Sequence, residues 1–356
     1  MPELTLSHLE QLSGSYGIPL LDTVMIAANC EGVRPADDYP RVRMQIRPLG
    51  SDEIWQIILP LDNEQSPFEL VARQLLLSGT PVAELADSEN DDVVLTYLRA
   101  GGTSVTLNTN SRSNCTGCLF CPNVIEDASD ATLNEEDELA GVLEWLQADN
   151  GWQDLSHVQK ITVCSGCFHN PEAAIAHMSA LRRATGRFAF DGRLHLLSSV
   201  LRDYDDLKRL RAECGAMHLT ITLECFERRS LLLKDSKASL TLERACQILD
   251  DCRELDILGD FTYVAGLDSY DCAIRGLSAL APRVSTFPRI QVYQAHNDYM
   301  RSARNPEAAD LRYYLRLRNE LESAFAPTGL TPRSWENYRP LWYSTFADRP
   351  VMGPRV

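Results

Sequence analysis

VQKITVCSGCFHNPEAAIAHMSALRRATG, residues 158–186, holds one complete strand–loop–helix unit, and its repetition decides the fold. VQKITVC reads as a strand, and NPEAAIAHMSALRRATG as a helix with Pro171 at its start and Gly186 at its end. The same unit recurs on both sides. Upstream, SVTLNT (104–109) is strand-like and is followed, after a long loop, by the amphipathic LNEEDELAGVLEWLQAD (133–149), with acids in its first turn. Downstream, RLHLLSSV precedes DYDDLKRLRAECG, MHLTITLE precedes LTLERACQILDDCREL, and DFTYVAGLD precedes SYDCAIRGLSALA; PRIQVYQAH precedes NPEAADLRYYLRLRNELESAF. Six such units in succession call for a parallel sheet covered by helices. They are too few for a closed eight-fold barrel, so the predicted fold is α/β, an open partial (β/α)6 barrel over residues 104–326.

The flanks differ in character. Residues 1–103 predict a small N-terminal α+β module, in which RVRMQIRPLG (41–50) and EIWQIILPL (53–61) are strands separated by a Pro-Gly-Ser turn. SPFELVARQLLLSG (66–79) predicts a helix there, with Pro67 near its first turn and Gly79 after its end. No constellation in this module points to chemistry. Residues 327–356 form an aromatic- and Pro-rich C-terminal tail, expected to pack across one barrel end.

Composition narrows the function classes. The 356 residues carry 34 Lys and Arg against 50 Asp and Glu, a formal charge of −16. That surface repels nucleic acid and anionic membranes, and no apolar run reaches spanning length. MPELTLSHLEQ lacks the basic start and apolar core of a signal peptide, so a cytoplasmic protein is expected. Eleven cysteines in that setting mean free thiols and metal ligands rather than disulfides.

Three of them cluster in SRSNCTGCLFCPN (111–123), at Cys115, Cys118 and Cys121. They lie in the loop directly after the first barrel strand, and in parallel β/α folds functional groups collect beyond the strands' carboxyl ends. Three thiolates leave one position open on a four-coordinate metal or on one corner of a cluster. A structural zinc site is the competing interpretation, since Cys164 and Cys167 supply a second C-x2-C pair. Such a protein would be a non-catalytic, zinc-stabilised binding module.

This arrangement resembles the radical SAM enzymes, whose partial (β/α)6 barrel carries a three-cysteine motif in its first β/α loop. The resemblance spans about residues 104–300. That family's usual spacing is C-x3-C-x2-C, and here it is C-x2-C-x2-C, which in bacterial ferredoxins supplies three ligands to one cluster. The resemblance implies a [4Fe–4S] cluster on Cys115, Cys118 and Cys121, with S-adenosylmethionine on the fourth iron. It further implies Phe120 against the adenine, and Ser165, Gly166 and Cys167 as the segment receiving the methionine amino group. Ser198 (with Ser199) and Glu224 would be polar contacts to the cofactor, and Val264 and Gly266 would flank the adenine. Arg228, Arg229, Asp268, Gln294 and His296 are candidate substrate residues.

The implied activity is reductive cleavage of S-adenosylmethionine to a 5′-deoxyadenosyl radical that abstracts hydrogen from a small polar metabolite. Rearrangement, C–C cleavage or dehydrogenation would follow, with a flavodoxin or ferredoxin as electron donor. Cleavage of a different C–S bond, to transfer a 3-amino-3-carboxypropyl group, is the alternative enzymatic outcome.

Overall fold

The computed structural model describes residues 4–34, 41–61, 63–91, 95–110, 118–121, 132–164 and 167–355. Two helices come first, α1 (Leu6–Tyr16) and α2 (Leu20–Glu31). Thr5 caps α1 by accepting the His8 amide, and Gly17 ends it in the left-handed region. Every residue of α2 from Asp22 to Cys30 is buried. A helix covered on all sides has no polar stripe, which is why no periodicity announces it in the sequence.

Five strands follow: β1 (Arg41–Pro48), β2 (Trp55–Pro60), β3 (Phe68–Val71), β4 (Gln74–Leu77) and β5 (Thr80–Asn90). They form an antiparallel sheet in the order β2-β1-β5-β4-β3. The first two are the predicted strands. The helix predicted over 66–79 is instead the β3–β4 hairpin, which corrects that expectation. Ala72 and Arg73 adopt φ of 49° and 65°, the left-handed pair of a two-residue hairpin turn. Phe68, Leu75 and Leu77 are fully buried, so burial follows period two rather than 3.6.

The second sheet is a mixed α/β layer of seven strands curled into a half-barrel. β6 (Thr96–Arg99) lies at its edge, antiparallel to β7 (Ser104–Leu107) across a turn containing Gly101 and Gly102. Residues 96–99, placed by sequence in the N-terminal module, therefore hydrogen-bond to the barrel sheet. Beyond β7 the strands run parallel: β8 (Lys160–Val163), β9 (Arg193–Ser198), β10 (Met217–Glu224), β11 (Leu258–Ala265) and β12 (Arg289–Val292). The covering helices are α3 (Glu136–Asp149), α4 (Pro171–Thr185), α5 (Tyr204–Cys214), the short α6 (Arg229–Leu232) and α7 (Asp235–Ala238), α8 (Leu242–Glu254), α9 (Tyr270–Leu280), α10 (Asp298–Ala303) and α11 (Leu311–Phe325). Among the described residues no helix is long and apolar enough to cross a membrane.

The N-terminal helices and the tail are locked to the barrel by a buried ion pair. Arg318 on α11 meets Asp22 on α2, with side chains 2% and 0% exposed. Arg318 also donates to the carbonyls of Leu341 (2.9 Å) and Thr345 (2.7 Å), and Asp22 accepts the Ser344 amide at 2.7 Å. One guanidinium thus joins three segments that are remote in sequence.

Candidate functional site

The barrel strands alternate in a way that builds a site. Outward residues such as Val105, Ile161, Leu196, Ile221 and Ile290 are apolar and buried in the main core. Their neighbours on the concave face are largely polar: Ser104 and Thr106, Lys160 and Thr162, Thr222 and Glu224, Arg289 and Gln291. A parallel strand covered by apolar matter on both faces would be a continuous apolar run. Here the lumen is a polar cleft, and it holds two adjoining cavities.

The larger, of about 240 Å³, opens at the carboxyl ends of the strands. Phe120 and Cys121 from the cysteine loop, Cys164 and Cys167 after β8, Ser198 ending β9, Glu224 ending β10 and Val264 on β11 all line it. Glu224 gets there through a break in strand register after Thr222 and a left-handed backbone, φ 72°. A non-glycine residue held in that region is a strained position of the kind that gathers at functional sites. Its carboxylate meets Lys237 Nζ at 3.1 Å, with both side chains nearly buried (13% and 11% exposed). Lys234 lines the same wall.

Cys118 is buried in a small apolar cluster with Val264, Leu267 and Tyr293. The Leu119 amide donates to Leu232 O on α6 at 2.9 Å, and the Cys121 amide to Cys118 O at 3.2 Å, so the end of the loop is anchored in a turn. Burial pushes the Cys118 thiol pKa up, and the Lys237 ammonium opposes that shift. Cys115, Ser165 and Gly166 lie outside the described residues. Among the described residues, no three His, Cys, Asp or Glu side chains form a metal-holding group.

Several expected substrate residues stand elsewhere. Arg228 donates to the carbonyls of Leu267 (2.6 Å) and Ala303 (2.9 Å), and Arg229 to those of Leu223 (2.7 Å) and Lys237 (2.6 Å). Both guanidinium groups tie loops together rather than face a ligand. Asp268 is fully buried and accepts the amides of Phe226 (2.8 Å) and Glu227 (2.7 Å) and the Tyr263 hydroxyl (3.0 Å). Gly266, at φ 114°, is demanded by packing, since a Cβ there would sit 2.6 Å from Tyr314 Oη. His296 is buried beyond β12 and lines neither cavity. Gln294 lines the second cavity, where its amide nitrogen donates to Asn29 Oδ1 and Ile58 O, both at 2.7 Å.

That second cavity, of about 190 Å³, lies deeper in the lumen and shares Cys164, Leu197, Gln291 and Arg339 with the first. Its floor is a network of charge. Lys160 Nζ meets Glu336 Oε1 at 2.5 Å, and Arg289 donates to Thr220 Oγ1 at 2.8 Å beside the buried Asp260. Burial alone would raise the Glu336 pKa, but Arg289 and Lys160 outweigh it and hold the carboxyl at about 2. Sequence reasoning missed Arg99, Lys160, Arg289 and Arg339. The signal for the strand residues was present in the polar alternation of the strands, whereas nothing local marks Arg339.

No family model matches the chain, and no curated protein matches its sequence. Solved structures of the radical S-adenosylmethionine methyltransferase TsrM from Kitasatospora setae are similar in part. The form with cobalamin and a [4Fe–4S] cluster bound has a TM-score of 0.38 and 15% identity, covering 54% of this chain and 36% of that one. The form with tryptophan substrate and the SAM analog aza-SAM has a TM-score of 0.38 and 14% identity, covering 53% of this chain and 35% of that one. This chain therefore matches little more than a third of the length of those proteins.

Proposed function

We propose that this protein is a radical SAM enzyme in which Cys115, Cys118 and Cys121 carry a [4Fe–4S] cluster and the larger cavity receives S-adenosylmethionine. One observation carries the proposal: Phe120, Cys121, Cys167, Ser198, Glu224 and Val264, singled out from separate strand ends, line one cavity of about 240 Å³. The donor chemistry is compatible with such a cluster: of the proposed ligands Cys121 stands at the cavity wall and Cys118 lies behind it beside Val264, with Lys234 and Lys237 lining the same cavity to balance thiolate charge. When bound, cluster and sulfonium together supply one-electron chemistry and a hydrogen-abstracting radical.

The chain's own residues orient and exclude. Glu224 and Lys237 present one negative and one positive group, matching the amino and carboxylate ends of an amino-acid zwitterion. Phe120, Leu197 and Val264 offer apolar surface to a purine. The N-terminal module (1–103) and the tail (327–356) close the lumen against water, and a flavodoxin or ferredoxin supplies the electron. The substrate is a small polar molecule seated deeper in the barrel.

The test is anaerobic reconstitution of the full chain with iron and sulfide, followed by visible absorbance and calorimetry with S-adenosylmethionine. Cys118→Ala is expected to abolish the cluster's charge-transfer band, and Cys164→Ala to keep most of it. A protein that takes up only zinc through both cysteine pairs and ignores S-adenosylmethionine overturns the proposal. In turnover, 5′-deoxyadenosine identifies the hydrogen-abstracting route and methylthioadenosine the 3-amino-3-carboxypropyl alternative.

A further inference from the structure

The deeper cavity has an unbalanced charge. Arg41, Arg99, Lys160, Arg289 and Arg339 line it, against the carboxylates of Asp91 and Glu336. Three of the five cations are matched by fixed carboxylates. Arg41 meets Asp91 at 2.9 Å, Lys160 meets Glu336 at 2.5 Å, and Arg289 sits 3.4 Å from Asp260. Arg99 and Arg339 form no ion pair among the described residues.

Both are nonetheless held in place. Arg339 Nε donates to Gln291 Oε1 at 2.8 Å and Nη1 to Gln294 Oε1 at 3.4 Å, so two neutral amides orient it without neutralising it. Gln294 is itself fixed by Asn29 and Ile58. Arg99 lies 4.2 Å from the Tyr338 ring centroid, donates to Trp335 O at 3.2 Å, and keeps a buried Nε with no hydrogen-bond partner among the described residues. Both side chains are half-buried, and a partly desolvated cation that is oriented but makes no ion pair gains when an anionic ligand completes it. Burial, with Arg41 nearby, lowers the Arg339 pKa against the opposing pull of Cys121, Glu224 and Asp91, and a bound anion would add to that pull. The shared wall at Cys164, Leu197 and Gln291 sets any occupant directly against the cofactor cavity.

We infer that the deeper cavity binds the oxyanion of a small-molecule substrate, a carboxylate or a phosphate, through the guanidinium groups of Arg339 and Arg99. The inference rests on the cofactor assignment only in calling the occupant a substrate; the anion site stands on its own geometry. A planar guanidinium pairs with either oxyanion through parallel N–H donors, which fixes orientation as well as charge.

The test is calorimetric titration of the full chain with benzoate and acetate, with phenyl phosphate and inorganic phosphate, and with the neutral benzamide and acetamide. One anion class is expected to bind at least roughly tenfold more tightly than the neutral amides, and the better class names the head group. Arg339→Gln and Arg99→Gln are each expected to weaken that binding roughly tenfold or more, and Arg339→Lys to retain part of it. Cys118→Ala, which removes a cluster ligand, is expected to leave anion binding unchanged. Equal affinity for anions and amides, no anion binding at all, or undiminished binding in a folded Arg99→Gln protein each overturn the inference. Arg339-dependent anion binding by a protein that ignores S-adenosylmethionine supports the anion site while the cofactor assignment fails, so the two outcomes separate.

Discussion

The Asp22–Arg318 pair offers the sharpest test of how the lumen is kept closed. Arg318→Met keeps the length and apolar stem of the side chain but removes the guanidinium. Asp22, 0% exposed, then retains the Ser344 amide at 2.7 Å and the more distant Tyr343 amide at 3.4 Å as its neutral donors. The carbonyls of Leu341 and Thr345 lose a charged donor at the same time. Breaking one side of a buried pair costs about 3–5 kcal/mol, much of it the uncompensated charge left behind. Against a total stability of about 5–15 kcal/mol this is a large fraction, and it corresponds to a melting temperature lowered by roughly 5 °C in a chain of this size. Urea denaturation followed by far-ultraviolet circular dichroism measures the loss. The double variant Asp22→Leu/Arg318→Met removes the stranded charge and is expected to recover about half of it. The reasoning fails if the single variant lies within about 1 kcal/mol of the parent, or if the double variant is as unstable as the summed singles. Residues 335–339 of the tail line the deeper cavity, so this pair also holds that chamber together.

Two further outcomes follow from the interior. Glu336 has a folded pKa of about 2 against an ordinary 4.5, so its stabilisation is complete above about 4.5 and disappears as pH falls toward 2. Glu336→Gln is therefore expected to be about 3 kcal/mol less stable than the parent at neutral pH and to converge with it in acid, as read by denaturation at stepped pH. Gly266→Ala forces a Cβ to 2.6 Å from Tyr314 Oη and 3.1 Å from Tyr293 Cβ at φ 114°, and is expected to cost roughly 2–4 kcal/mol. An unchanged melting temperature in that variant contradicts the packing role given to this glycine.

Particular elements show what local sequence conveys. Pro171 and Gly186 do flank α4, and Asn170 caps it by accepting the Ala173 amide at 2.8 Å. The strands β8, β9, β10 and β12 fall inside the segments predicted for them, and β11 overlaps its segment but begins earlier, at Leu258, because apolar outer residues and turn signals act over a few neighbours. The segment 66–79 misled because its leucines satisfy a helical spacing as readily as a strand spacing; the register was decided by pairing with β5. Helix α2 escaped notice for the opposite reason, since complete burial erases the amphipathic signal.

The candidate site divides along the same line. Where the strands end is written in order along the chain, which places Ser198 and Glu224 at one end of the barrel; their selection, like that of Cys121 and Val264, comes from the family resemblance. Whether a cation there is spent or available is not. Arg228 and Arg229 are consumed by carbonyls 4 to 75 residues away, whereas Arg339, in a tail with no strand of its own at that point, turns into the lumen held by neutral amides and makes no ion pair among the described residues. Local pattern sets backbone direction because its causes are neighbours in sequence. Neutralisation of charge depends on which groups the closed barrel brings within a few ångströms, and only the tertiary structure decides that.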